Sequence, residues 1–348
     1  MTLVPLGPQG LRVSDFCLGT MTWGRQTAPE AAYRQIDRAL ERGINFLDTA
    51  EMYPTNPVLP ETLGGTEAII GDWIARGGDR DRLIIATKVT GEGSGVIPGG
   101  SPRIDAARLR QAVEDSLRRL RCGRIDLYQL HWPDRGSYHF RRNWHYVPRV
   151  TDKATVLADM RGVLETAAAL IAEGKIGALA LSNETAWGVS QWCTLSEREG
   201  LPRIASVQNE YSLLCRTFDT DMAEACTAEG VPLLAFSPLA TGLLTGKYAG
   251  DVTPEGSRRA ATPDLGGRIT PRVFEAVAAY LNLAREWSID PVAMALCWHR
   301  TRPFRSIPII GATTEEQLER QLDAFDMTLP EGLAAAIDAV HKSVPMPF

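Results

Sequence analysis

The sequence predicts a (β/α)8 barrel of the TIM type, preceded by an N-terminal β-hairpin. Three observations lead there. Short apolar runs recur along the 348 residues, each bounded by Gly, Pro, Asn or Asp, which is how strands covered on both faces look. Segments of helical period lie between the runs, and such alternation gives a parallel sheet flanked by helices. Several runs end on an ionisable or amide side chain, which a strand buried only for packing has little reason to do.

Taken in order, LVPL and LRVS flank the turn-rich Gly7-Pro8-Gln9-Gly10 and read as the hairpin. The strand candidates that follow are Phe16–Gly19, Ile44–Asp48, Leu83–Lys88, Ile125–His131, Ile176–Ser182, Ile204–Gln208, Pro232–Ser237 and Ile307–Gly311. Pro29 to Arg42 carries Tyr33, Ile36 and Leu40 at helical spacing, and Gly43 closes it. Leu157, Met160, Leu164 and Ile171 form a second stripe, stopped at Gly174. Pro271 to Trp287 and Pro291 to Arg300 read as two more, with their Met and Trp residues expected in the core. Thr314 to Gln317 fits a capping box that opens a helix through Leu322. A doubly wound open sheet is the alternative, but the first strand leads into Leu18-Gly19-Thr20-Met21-Thr22-Trp23-Gly24, which is not G-x-G-x-x-G, and that fingerprint occurs nowhere else. Two long irregular stretches, Tyr53–Gly65 and Pro133–Lys153, follow strand ends on the side where barrels do chemistry.

Composition narrows the function. The chain is 44% hydrophobic and 23% charged with net charge −5, so it has no basic footprint for nucleic acid or an anionic membrane. Phe140-Arg141-Arg142 and Ser257-Arg258-Arg259 read as surface charge. The cysteines at 17, 122, 193, 215, 226 and 297 form no C-x-x-C pair, which argues against a disulfide scaffold or a zinc site. His131, His139, His145, His299 and His341 show no ligand spacing with acids, so no metal is expected. The opening residues lack a signal-peptide pattern and no stretch has membrane-spanning length, which makes a reducing cytoplasm the expected compartment.

The chemistry concentrates in Asp48, Tyr53, Lys88 and His131. Three of these end strand candidates, and Tyr53 follows five residues after Asp48. In a barrel the C-terminal strand ends share one open face, with neighbouring strands about 4.8 Å apart. An acid, a phenol, an amine and an imidazole there make a proton-transfer set. Tyr53 is the natural donor to a developing alkoxide. A nearby Lys88 ammonium favours the phenolate, so the pair predicts a Tyr53 pKa below the ordinary value of about 10. Asp48 can hold Lys88, and His131 can orient a substrate oxygen. The bland readings are a buried ion pair, a loop aromatic and a core histidine. A Schiff-base aldolase using Lys88 is a further alternative.

DTAEMY, the lysine of ATK and His131-Trp132-Pro133 resemble the signature of the aldo-keto reductases. The likeness runs from Gly19-Thr20-Met21 to the region after Gly311, and EMYP, SNETAWGV and GATTEEQL are most similar to the bacterial Tas-like branch. The resemblance implies a single barrel domain over residues 1–348, a small-molecule aldehyde or ketone as substrate, and NADPH as cofactor, with NADH possible. It implies that Asp48, Tyr53, Lys88 and His131 are catalytic. It places Gly19, Thr20 and Met21 beside the cofactor, Ser182, Asn183 and Gln208 on the nicotinamide amide, and Phe236 stacked on the ring. Ser237, Leu239, Gly242, Lys247 and Arg258 fall at the pyrophosphate, and Gly311, Thr313, Gln317, Arg320 and Gln321 at the adenosine end. Many relatives place a lysine where Gly311 stands and an acid where Arg320 stands. NADPH preference therefore rests on Arg320, the Thr313 and Thr314 hydroxyls and the helix N-terminus. Trp23, Met52, Trp132 and Tyr211 are candidates for the pocket wall, since aromatic walls suit apolar carbonyl compounds, although a tryptophan at a loop position can instead plug the core. The same superfamily includes potassium-channel β subunits, so a redox-sensing NADPH-binding subunit with little turnover is the alternative function.

Overall fold

The computed structural model describes residues 3–93, 95, 97, 103–149 and 152–348. Val150 and Thr151, within the second long loop, lie outside them. Strands β1 (Leu3–Leu6) and β2 (Leu11–Ser14) form the antiparallel hairpin, with Leu3 opposite Ser14 and Leu6 opposite Leu11. Strands β3 (Cys17–Gly19), β4 (Phe46–Asp48), β5 (Ile84–Val89), β6 (Ile125–Leu130), β7 (Ile176–Ser182), β8 (Ile204–Glu210), β9 (Leu233–Phe236) and β10 (Ser306–Ile310) pair in parallel and close on themselves, β10 beside β3. Each expected strand is present, β7 with the expected bounds and the others with ends shifted by at most two residues.

Helices α1 (Pro29–Glu41), α2 (Gly65–Ala75), α3 (Ala106–Leu120), α4 (Lys153–Ala172), α5 (Ala186–Glu199) and α6 (Asp221–Glu229) follow β3 to β8 in turn. Four more, α7 (Arg258–Ala261), α8 (Val273–Glu286), α9 (Pro291–Cys297) and α10 (Glu315–Phe325), lie around β9 and β10, and α11 (Leu333–Ser343) comes last. The stripe expected to run from Pro271 begins at Val273. That expected to reach Arg300 leaves the α-helix at Cys297 and continues as a 3-10 turn, Trp298–Thr301.

Two apolar cores result. Outward residues such as Leu18, Leu47, Ile85, Tyr128 and Leu179 meet the helices. Inward residues Cys17, Phe46, Ala86, Leu127, Ala178, Leu234 and Ile307 fill the lower lumen together with Leu6, Leu11 and Val13 of the hairpin. The hairpin therefore plugs the N-terminal end. Its turn comes so close that a Cβ on Gly7, at φ +66°, would stand 2.6 Å from the Ala205 Cα.

Helix α2 approaches α3 equally closely at Gly71, where a Cβ would lie 2.2 Å from the Arg119 carbonyl oxygen. Gly71→Ala gains about 1 kcal/mol of helix propensity, but the overlap forces backbone apart at about 1–3 kcal/mol. We expect a net loss of stability by denaturant unfolding. A more stable variant would refute this close approach.

Candidate active site

Side chains alternate along a strand, so each inward position is followed two residues later by another. Above Phe46 stands Asp48, above Ala86 stands Lys88, and above Leu127 stands Gln129, then His131. The lumen thus turns from apolar to polar one layer before the open face. Lys88 is fully enclosed. Its Nζ donates to Asp48 Oδ2 at 2.6 Å and to the Thr49 carbonyl at 2.8 Å. The other carboxylate oxygen, Asp48 Oδ1, accepts from Gln129 Nε2 at 2.9 Å and Gln208 Nε2 at 2.8 Å. Burial pulls the Lys88 pKa down, but Asp48 and Tyr53 outweigh it and the net direction is up, so the ammonium is retained.

Tyr53 folds back over this pair. Lys88 Nζ lies 5.0 Å from its ring centroid, and the His131 ring meets it edge-on at 6.0 Å. The sequence predicted a depressed Tyr53 pKa. The structure corrects the sign: burial raises it and outweighs the pull of Lys88. His131 is driven well below its ordinary value, first by burial and then by Lys88. Its ring makes no hydrogen bond among the described residues, and Nδ1 is buried without a partner. A protonated phenol, a fixed ammonium and a neutral imidazole with an open bonding position therefore share one mouth.

The neighbouring strand ends supply amides. Asn183, at φ +52°, donates from Nδ2 to the His131 carbonyl at 2.9 Å, while its buried Oδ1 has no partner. The Ser182 hydroxyl donates to the Gln208 carbonyl at 2.9 Å. Phe236 keeps part of its ring exposed at the end of β9. Ser237 follows at φ +53°, with Leu239 beneath. Gly242, at φ +99°, leaves room for Lys247, whose Cε would lie 2.7 Å from a Cβ there. At the end of β3, Gly19 and Met21 flank Thr20, whose hydroxyl donates to the Asp48 carbonyl at 2.9 Å.

At the start of α10, the Thr314 hydroxyl caps the Gln317 N–H at 3.2 Å. That is one half of the expected capping box; the reciprocal bond is shifted by one residue, Gln317 Oε1 accepting from the Thr313 N–H at 3.1 Å. Gln321 brackets Gly311, accepting its N–H at 3.2 Å and donating to its carbonyl at 3.0 Å. Arg320 is exposed and paired with Asp290 at 2.8 Å.

Two pocket-wall expectations are corrected. Trp23 has no exposed surface; its indole donates to Gln35 Oε1 at 3.0 Å inside the core. Tyr211 is also enclosed, stacked on Trp298 at 4.9 Å with its hydroxyl given to Asp219. Trp132 stays half-buried, its ring 4.9 Å from His131 and 6.1 Å edge-on from Phe140, and Met52 is half-buried too.

Of the two arginine clusters, Arg142 is exposed as expected, but Arg141, Arg258 and Arg259 are not surface charge. Arg141 pairs with Glu210 at 2.6 Å, and Arg268 reaches the same carboxylate at 2.6 Å. Arg258 has no carboxylate partner among the described residues; it donates to Asn56 Oδ1 at 3.2 Å and its buried Nε is unpartnered. Burial, then Arg268, lowers its pKa to about 10. Arg259 is buried and paired with Asp251. The sequence reading missed Gln129, Arg141, Glu210 and Arg268. Gln129 had a signal, being two residues before His131 on the inward face.

This geometry has relatives. The model of the aldo/keto reductase family matches residues 15–342, and the chain belongs to that family of oxidoreductases, which act on carbonyl compounds and generally use a nicotinamide cofactor. Protein Tas of Escherichia coli K12 is 41% identical over 337 residues, covering 95% of each chain. Norsolorinic acid reductase stcV of Emericella nidulans is 28% identical over 92% of this chain and 76% of its own. A putative voltage-gated potassium channel subunit beta of Schizosaccharomyces pombe is 29% identical over 98% and 93%. Among the described residues no helix is long and apolar enough to cross a membrane, and no group of His, Cys, Asp and Glu could hold a metal ion.

Burial holds His131, His139 and His299 below the ordinary histidine pKa, His299 at about 3. In the unfolded chain each binds a proton below about pH 6.5, so their contribution is complete above that pH and declines as pH falls, by up to about 1.4 kcal/mol per unit per histidine. Denaturant unfolding should show several kcal/mol less stability at pH 5 than at pH 7.5, a window that largely spares carboxylates. Equal stability at both would mean that these rings are charged in the fold.

Proposed function

We propose that the chain reduces aldehydes or ketones to alcohols with NADPH, in a single barrel domain, with Tyr53 as proton donor. The observation that carries this reading is the meeting of a charged Lys88, a protonated Tyr53 and a neutral, unbonded His131 at one mouth. Bound NADPH supplies the hydride. The His131 ring receives and orients the carbonyl oxygen. The Tyr53 phenol, kept protonated by burial, gives its proton to that oxygen as negative charge develops. Lys88 stabilises the phenolate left behind, and Asp48, held by Gln129 and Gln208, fixes Lys88.

Orphaned groups support the cofactor's fit. Asn183 Oδ1 suits a carboxamide N–H, with Ser182 and Gln208 beside it, and Phe236 offers a half-exposed ring for stacking. Arg141 and Arg268 share one carboxylate, Glu210, and Arg258 beside them has none among the described residues. That leaves a surplus of cationic charge, which a pyrophosphate would offset; Ser237, Leu239, Gly242 and Lys247 adjoin it as the remaining phosphate-side residues. For a 2′-phosphate, the approach to α10 offers Thr313 and its first turn Gln317, with Gly311 and Gln321 behind. Arg320 is available, because an exposed pair such as that with Asp290 is worth only about 0–1 kcal/mol. Glu315 and Glu316 in the same turn act against an anion, though Arg34 holds Glu315 at 2.5 Å. The preference for NADPH over NADH is accordingly expected to be modest.

Tyr53→Phe should lower kcat/KM for an aldehyde panel about 10²–10⁴-fold while NADPH binding is retained. Near-normal turnover by this variant would remove Tyr53 from the mechanism. The raised Tyr53 pKa and depressed His131 pKa also predict a flat kcat/KM for reduction between about pH 6 and 9, falling only as Tyr53 ionises at higher pH; a limb near pH 6.5 would mean that His131 titrates. The resemblance to a putative channel β subunit supports the second reading, a redox-sensing subunit. Tight NADPH binding with negligible wild-type turnover across the panel would favour it.

A further inference from the structure

A cleft of about 860 Å³ lies apart from the site described above and includes none of Asp48, Tyr53, Lys88 or His131. It is formed by the loop that leaves β6, the start of α5, the approach to α6 and the C-terminal tail. Its size falls within the range of about 300–1,000 Å³ typical of small-molecule sites.

Flat surfaces and cations dominate its walls. Trp187 is 41% exposed there, with the Arg135 guanidinium 5.0 Å from its ring centroid. Tyr138 and Tyr146 meet edge-to-face at 6.0 Å. Neither tyrosine hydroxyl has a hydrogen-bond partner among the described residues, although burial, then Glu184, lifts the Tyr138 pKa to about 12. Lys153 forms no ion pair among the described residues, and Arg149 is 65% exposed with its nearest carboxylate oxygen, on Glu92, 4.0 Å away. Arg216 and Asp219 also line the cleft but pair with each other at 2.5 Å. Asp221 is the acid left over. Aromatic faces, an unpaired Lys153, an Arg149 held only loosely by Glu92 and unused phenol donors are what a planar anion requires.

We propose that this cleft is a second small-molecule site, for a planar aromatic carboxylate. The ring would lie among Trp187, Tyr138 and Tyr146, with the anionic end toward Lys153 and Arg149. The proposal is independent of the carbonyl-reduction chemistry, and its test reads binding alone.

2-Naphthoate serves as probe and 2-naphthamide as its neutral twin, titrated calorimetrically into the protein with and without saturating NADPH. We expect naphthoate to bind in both conditions with Kd below about 1 mM, and the amide more weakly. Trp187→Ala and Lys153→Glu should each weaken naphthoate at least about fivefold, with thermal unfolding as in wild type. Should Trp187→Ala fail to fold, the exposed Lys153→Glu decides alone. The proposal is overturned if naphthoate does not bind, binds the folded variants as well as wild type, or binds only when NADPH is absent.

Discussion

The Lys88–Asp48 pair constrains everything above the middle of the barrel. A charge with no exposure is tolerated only when it is paired and its remaining bonding positions are met. Here both carboxylate oxygens and the ammonium are engaged. That obliges β6 and β8 to carry glutamines on their inward faces at this level, and it leaves little freedom in the register of β4 against its neighbours. Removing one partner from such a pair costs about 3–5 kcal/mol, so the mouth is built on a layer that cannot loosen piecemeal.

The same layer sets the electrostatics of the groups above it. Lys88 lowers His131 and draws on Tyr53, yet burial governs the direction for both. A phenol that stays protonated is suited to giving a proton, and an uncharged imidazole suits holding a carbonyl oxygen without neutralising the lysine's field. Their opposite displacements share one origin, exclusion of water from the rim of the lumen.

Much of this was legible because strands alternate with period two. Phe46 then Asp48, Ala86 then Lys88, and Leu127 then Gln129 then His131 announce an inward face that changes from apolar to polar. The eight strands were readable from their short apolar runs, and the hairpin from the turn-rich Gly7-Pro8-Gln9-Gly10. What escaped depended on partners distant in sequence. Arg141 looked like surface charge because Glu210 lies 69 positions on and the rival Arg268 a further 58. Trp23 and Tyr211 were expected on the pocket wall because aromatic walls suit apolar carbonyl compounds. Whether such a ring turns inward depends on Gln35 and Asp219, and no local periodicity marks those contacts. The sign of the Tyr53 shift was missed because sequence shows the cation but not the depth of burial.

The long loop after β6 is fastened beside the ends of β7 and β8 as well as to the loop after β5, where Asp134 accepts the Glu92 and Ile104 N–H groups. Arg135 grips Glu184 just past β7, the His139 ring bonds the Glu184 carbonyl at 3.0 Å, and Arg141 grips Glu210 at the end of β8. Between and beyond these fixed points the chain presents Tyr138, Phe140, Trp144 and Tyr146. The charged contacts that hold the loop's course are therefore separate from the aromatic side chains it presents.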